Sequence, residues 1–336
     1  MNRNNIDLND AIATKLVVHR VGNKFRDEGI LFSDSLVDID ADLNSTIINF
    51  FLSSTLHEGE EYIFTHESDI NLNVVRHYSS AIFNDKNSFL SSSEAIAKYL
   101  YACSTHPNIG GGELIEILFE GAKINNQHTQ AIGLFKIESK VKYWDVNNKN
   151  GALQIIEKQG IEVRNIQKGV VIFPDDSVFV IDKLGKKTKY WIEDFIKSVP
   201  KETDQRYQKI ISNIAKAVYR KIDNSEAALY FSGTLQEQEE ISIRDLRVIS
   251  DKVLDNSSTF NSIIAGINAK YNMEVNENFS IHREGMSTEI NKITKRVILS
   301  QGLGLEISDS NIKVLSIDKV NSDNGFKLII NIEEVV

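Results

Sequence analysis

Between Pro200 and Asp223 the apolar residues Tyr207, Ile210, Ile211, Ile214, Val218 and Ile222 recur at helical spacing. At about 100° per residue they share one side of a helix. Thr203 stands where an N-cap belongs. Arg206, Lys209, Lys216 and Arg220 cluster on another side, with Asn213 among them. The pattern predicts an amphipathic helix with one apolar and one basic face. The rest of the chain reads as two halves hung on it.

Before that helix, the β-branched run Thr14–Val21 predicts a strand and Gly29–Ile39 a second, with Gly22-Asn23-Lys24 as the turn. Asp42 is placed to cap a helix carrying Leu43, Ile47, Phe50, Phe51 and Leu56. Further helices are expected over Asp69–Phe83 and Ser93–Ser104, the latter opened by Ser91-Ser92-Ser93-Glu94. Gly110-Gly111-Gly112 follows a helix and precedes a strand, so it reads as a joint; a phosphate loop follows a strand and opens a helix. In Glu113–Glu120, Ile115, Ile117 and Phe119 fall on one face and Glu116, Leu118 and Glu120 on the other. Gln130–Trp144, Gly160–Phe173 and Ser177–Leu184 predict more strands, the last two joined by the turn Pro174-Asp175-Asp176. Their short connections predict an antiparallel meander. Trp191–Val199 reads as a helix.

After the central helix the spacing predicts helices over Glu226–Leu235, Ser242–Leu254 and Ser258–Tyr271. Strands are expected over Asn291–Leu299, Gly304–Ile307, Ile312–Ile317 and Phe326–Ile332, with Asp323-Asn324-Gly325 as a hairpin turn. The fold class expected is α+β. An antiparallel sheet with helices occupies residues 1–200: an acidic helical region, then a β-rich block. A helical domain closed by a small antiparallel sheet occupies 201–336.

Composition narrows the class. The chain has 336 residues and a net charge of −9, which argues against a general nucleic-acid binder of the basic kind. The charge is uneven: residues 1–110 carry 8 Lys/Arg against 15 Asp/Glu, whereas 111–200 carry 13 against 12. A polyanion contact therefore belongs after residue 110. The basic candidates there are the helix stripe Arg206, Lys209, Lys216 and Arg220, the turn with Lys183, Lys186, Lys187 and Lys189, and the segment with Lys292, Lys295 and Arg296. No aromatic residues interleave with them to suggest stacking on single strands, so the contact expected is with phosphate and has little sequence preference. One cysteine, Cys103, excludes an internal disulfide and a cysteine-built zinc site. Nothing approaches the roughly 18 apolar residues of a membrane helix, and the first residues lack the apolar core of a signal peptide. The expected place is the cytoplasm, away from any membrane. The seven histidines show no HExxH pairing, and neither a metal nor a cofactor is expected.

One arrangement invites an enzymatic alternative. Mg²⁺-dependent nucleases set acids on one strand and an acid-x-Lys on the next. Glu116 and Glu120 here precede Glu138-Ser139-Lys140. The residues in question are Glu120, Glu138 and Lys140, with the acids on metal and the lysine at the water.

The order of features resembles the 37 kDa bacterial nucleoid-associated proteins. The likeness is spread over nearly the whole chain. It is carried by the opening run Ile12–Arg20, by Gly111-Gly112 leading into Glu113–Glu120 and then Ala131–Phe135, and by Trp191–Ile196 after the basic turn. It continues through Asn276–Phe279, Ser287–Lys295 and Gly302–Leu305. The resemblance implies association with the bacterial nucleoid and transfers no catalytic motif. The function expected is non-enzymatic: contact with DNA phosphates, or docking on a DNA-bound protein. A homodimer is a further expectation, because two copies would double a weak phosphate surface. A pure protein-interaction module is the remaining alternative.

Overall fold

The apolar runs of the first half assemble into one antiparallel sheet covered on both faces. The computed structural model describes residues 6–183, 189–254, 256–271, 273–286, 296–300, 303–306, 312–322 and 325–334. The chain divides into two units, Met1–Lys201 and Glu202–Val336.

The first unit opens with β1 (Ile6–Asp7), β2 (Ile12–Val21) and β3 (Ile30–Leu31). Helices α1 (Ala41–Ile47) and α2 (Ser54–Glu58), joined through a π turn over Ile48–Ser53, lead to β4 (Glu60–Phe64). Helices α3 (Val74–Asn84) and α4 (Phe89–Cys103) follow. Then come β5 (Gly112–Ile124), β6 (Gln127–Ile137), β7 (Val141–Lys149), β8 (Ala152–Gly160), β9 (Lys168–Ile172) and β10 (Val178–Asp182). A 3-10 turn at Lys189–Trp191 and a π turn at Ile192–Ile196 precede β11 (Ser198–Pro200).

The sheet runs β11-β4-β10-β9-β6-β5-β2-β3, with β1 on β5. Within the β-rich block β5-β6 and β9-β10 are hairpins of this sheet, and β7-β8 is a hairpin outside it. The N-terminal β2 joins that block on one side, and β4 joins it on the other. One face carries Val17, Leu114, Leu118, Leu134, Val170 and Val180 under α3 and α4. The other carries Leu16, Ile117, Phe119, Phe135, Val171 and Phe179 under α1, the π turn and α2. A sheet covered on both faces buries every position of its central strands. That is why Glu116, Lys136 and Lys168 are each 0% exposed.

Several sequence expectations are corrected in this unit. Of Gly29–Ile39 only Ile30–Leu31 is strand; beyond it Ser33 turns back, its hydroxyl donating to the Val18 carbonyl and its N–H to His19 Nδ1. Asp40, not Asp42, caps α1, accepting from the Leu43 N–H. Asn73 caps α3, and Asp69 caps a separate 3-10 turn at Ile70–Leu72. The serines Ser91, Ser92 and Ser93 lie inside α4, where the Ser93 hydroxyl donates to Leu90 O and meets buried His19 at 2.9 Å. Gln130–Trp144 is two strands, because Glu138–Lys140 leave the ladder. Gly160 ends β8, and the chain through 161–167 is loop before β9. Trp191–Val199 is two short turns and a strand.

The three glycines are needed for close approach. A Cβ at Gly112 would lie 1.9 Å from the Ile137 carbonyl, and one at Gly111 would lie 2.5 Å from Glu28 Oε2. The backbone of β5 thus begins pressed against β6 and the loop after β2.

In the second unit, Thr203 Oγ1 accepts from the Arg206 N–H and starts α5 (Asp204–Tyr219). Then come α6 (Ser225–Glu237), β12 (Glu240–Ser242), α7 (Ile243–Val253), α8 (Ser257–Tyr271) and β13 (Ser280–His282), which pairs with β12. Ser242 and Asp245 close a capping box on α7. Helix α5 packs on α7 and α8. Its Tyr207 stacks on Phe279 with ring centroids 4.0 Å apart. Two further ladders end the chain: β14 (Arg296–Ser300) with β15 (Leu303–Glu306), and β16 (Ile312–Ser322) with β17 (Gly325–Glu334). Of the expected hairpin turn, Asp323 and Asn324 lie outside the described residues. The protein is α+β.

Candidate nucleic-acid interface

Helix α5 buries Tyr207, Ile210, Ile211, Ile214, Ala215, Val218 and Tyr219. Tyr207 fixes the N-terminal end. Its hydroxyl donates to Glu202 Oε1 at 3.0 Å and accepts from the Asn276 N–H at 2.7 Å, and burial pushes its pKa up to about 12. With that side anchored, the opposite side is set by the helical period.

Lys209 and Arg220 are exposed and Lys216 is half-buried. At 100° per residue, Lys209, Asn213, Lys216 and Arg220 lie within about 60° of one another; at 1.5 Å per residue they span about 16 Å. The sole carboxylate within α5 is Asp204, in the first turn. Asn213 Nδ2 donates to the Tyr271 hydroxyl at 2.7 Å, and Lys270 Nζ lies 5.3 Å from the Tyr271 ring. Exposed Lys270 on α8 therefore flanks the strip. The sequence pattern missed it, because a helical period reports only one helix at a time.

Arg206 does not join this line. It is 6% exposed, on the flank of α5 about 60° from Lys209 and toward the packed side. The basic turn is represented by Lys183, whose Nζ pairs with Glu58 at 3.2 Å. Lys186 and Lys187 lie outside the described residues, as do Lys292 and Lys295. Lys189 opens the 3-10 turn before Trp191, and Arg296 is the first residue of β14.

The nuclease arrangement is not assembled. Ile137 pairs with Glu113, whereas Glu120 pairs with Ile12 at the far end of β5. Seven residues of strand separate Glu120 from the Glu138 end, about 23 Å at the strand rise. Each group is also engaged elsewhere. Glu120 pairs with Lys86 and accepts from Gln130 Nε2. Glu138 accepts from the Tyr190 hydroxyl and lies 3.5 Å from Lys168 Nζ. Lys140 Nζ is 2.6 Å from Glu113. Glu116 is fully buried, and desolvation drives its pKa well above the ordinary value. Among the described residues no group of three His, Cys, Asp or Glu could hold a metal. Cys103 is half-buried, and burial pushes its thiol up to about 11, so it is protonated at neutral pH. No described helix is long and apolar enough to cross a membrane.

A family model, NA37, described as nucleoid-associated protein YejK, matches residues 17–333. No curated protein matches the chain.

Proposed function

The chain belongs to the NA37 family of nucleoid-associated proteins, and on that premise we propose that it contacts DNA phosphates directly through α5, without catalysis. The observation that carries this reading is the line of Lys209, Lys216 and Arg220, set by a helix whose other side is anchored in the core. A cationic line on a rigid element meets the phosphate backbone and reads no base edges. Binding is therefore weakly selective and sensitive to salt. Three neutralised phosphates give a slope of about −2.7 in log K against log salt, and a fourth, from Lys270, about −3.6. The net charge of −9 opposes binding at long range and keeps affinity modest. Such a binder would act in the cytoplasm, on the nucleoid.

The test is titration of a short duplex across a salt series. It uses the wild type and a Lys209→Glu, Lys216→Glu, Arg220→Glu variant. The expected result is binding at low salt with that slope, lost in the variant. Absence of binding at low salt, or equal binding by the variant, overturns direct contact through α5. It would leave docking on a DNA-bound protein, which the acidic character of the chain favours.

A further inference from the structure

Strands β7 and β8 form a nine-row antiparallel ribbon of their own, outside the main sheet. Their residues are exposed along nearly the whole length. Directly paired residues share a face, so one face carries Trp144, Val146, Leu153 and Ile155, with exposures of 71%, 58%, 76% and 64%. These four side chains are contiguous across three successive rows of that face, every second row of the ladder. A two-stranded hairpin without a packed face is marginal in water, and an exposed apolar patch of this kind marks a contact surface.

We propose that this face pairs with the same face of a second copy of the chain. The charge pattern selects that occupant. The face carries two charged residues, Lys142 and Glu157, and they pair with each other at 2.7 Å. A two-fold axis along the strands sets Lys142 opposite Gln159 of the second copy, Glu157 opposite Trp144, Val146 opposite Ile155 and Asn148 opposite Leu153. An axis across the strands, through the Val146–Ile155 row, sets Trp144 opposite Asn148 and Glu157 opposite Leu153. Neither arrangement brings like charges together, as an isologous interface requires. A polyanion fits this surface poorly. On the other face Lys158 pairs with Asp145, so two of the ribbon's three lysines are neutralised and each face sets one carboxylate against the ligand.

The interface has a definite scale. Nine residues of strand by two strands cover about 30 Å by about 10 Å of each copy. Over two copies that is roughly 600 Å², below the size of a standard stable interface, so the dimer is expected to be weak and reversible, in the tens of micromolar. Two copies of net charge −9 repel at long range, and salt screens the repulsion. Dimerisation through this face therefore strengthens with added salt, whereas the DNA contact weakens. The two readings fail independently.

The experiment is sedimentation of the full chain from 1 to 100 µM in low and moderate salt. Trp144 emission is followed alongside. Trp191 is fully buried, so a concentration-dependent blue shift reports Trp144. The expected result is a monomer–dimer equilibrium that tightens with salt. Val146→Lys and Leu153→Lys shift it at least tenfold toward monomer. Ile156→Lys, on the opposite face, leaves it within about twofold. Both lysine variants alter exposed positions, and thermal melts confirm that they fold. A wild type monomeric to 100 µM, or a dimer that persists in both variants, overturns the proposal.

Discussion

Glu116 offers the sharpest test of the two-faced sheet. It lies on β5 between Val17 of β2 and Leu134 of β6, on the face under α4. Its side chain is fully buried, and neither carboxyl oxygen has a hydrogen-bond partner. Burial without a partner raises its pKa well above 4.5, so the folded protein holds a proton that the unfolded chain releases. The sign follows: the contribution to stability is complete below the unfolded-state pKa. It falls by about 1.4 kcal/mol for each pH unit above that value, until the raised pKa is reached. Glu116→Gln removes the titration and keeps the shape. Glu116→Leu also removes the unsatisfied oxygens, and relieving that desolvation adds roughly 1–3 kcal/mol. The assay is urea unfolding between pH 5 and 8, followed by tryptophan fluorescence. Both tryptophans, Trp144 and Trp191, belong to the first unit, so the signal reads that unit. The wild type should lose stability relative to Glu116→Gln by about 1.4 kcal/mol per pH unit, and Glu116→Leu should be the most stable of the three at pH 7. Parallel pH profiles for wild type and Glu116→Gln would refute the reasoning, because the carboxyl would then ionise in the fold as it does in water. A metal-holding carboxylate would give that opposite behaviour.

Lys136 predicts a complementary profile. Its ammonium donates to the carbonyls of Val21 and Gly112 at 2.6 and 3.0 Å, yet burial lowers its pKa to about 8. Between about 8 and the unfolded value the unfolded chain binds the extra proton. Wild-type stability should therefore rise across that range by about 1.4 kcal/mol per pH unit relative to Lys136→Met, read by the same fluorescence. Asn73 is buried and its amide donates to the carbonyls of Thr65, Ile196 and Lys197, while its oxygen caps α3 through the Arg76 N–H. Asn73→Ala should cost roughly 2–4 kcal/mol, the sum of a lost cap and stranded carbonyls; a loss under about 0.5 kcal/mol in urea melts would show that water replaces the amide.

Helix α5 was legible from sequence because everything that specifies it is local. The apolar period, the Thr203 cap and the placing of Lys209, Lys216 and Arg220 opposite the apolar stripe are all contained within some twenty residues. The capping box at Ser242 belongs to the same class, and so does the turn at Pro174-Asp175-Asp176, where the Ser177 N–H bonds Asp175. The family resemblance was carried by the chain as well, since it rests on the order of such segments.

Tertiary structure decided what no local pattern records. Which strands become neighbours depends on closing loops across a hundred residues, as between β2 and β5. That pairing, with helices on both faces, buried Glu116, on a strand whose alternation set it apart from the apolar face, and Lys136. The same register placed Glu120 and Glu138 at opposite ends of β5 and β6, undoing a constellation that was adjacent only along the chain. Conversely β7 and β8, of which only Val141–Trp144 and Gly160 fell within predicted strands, pair with each other outside the main sheet and stand exposed. Side-chain period is a property of the backbone within one element. Burial and ion pairing are properties of what packs against it, and those partners, such as Glu58 for Lys183 or Tyr190 for Glu138, come from distant parts of the chain.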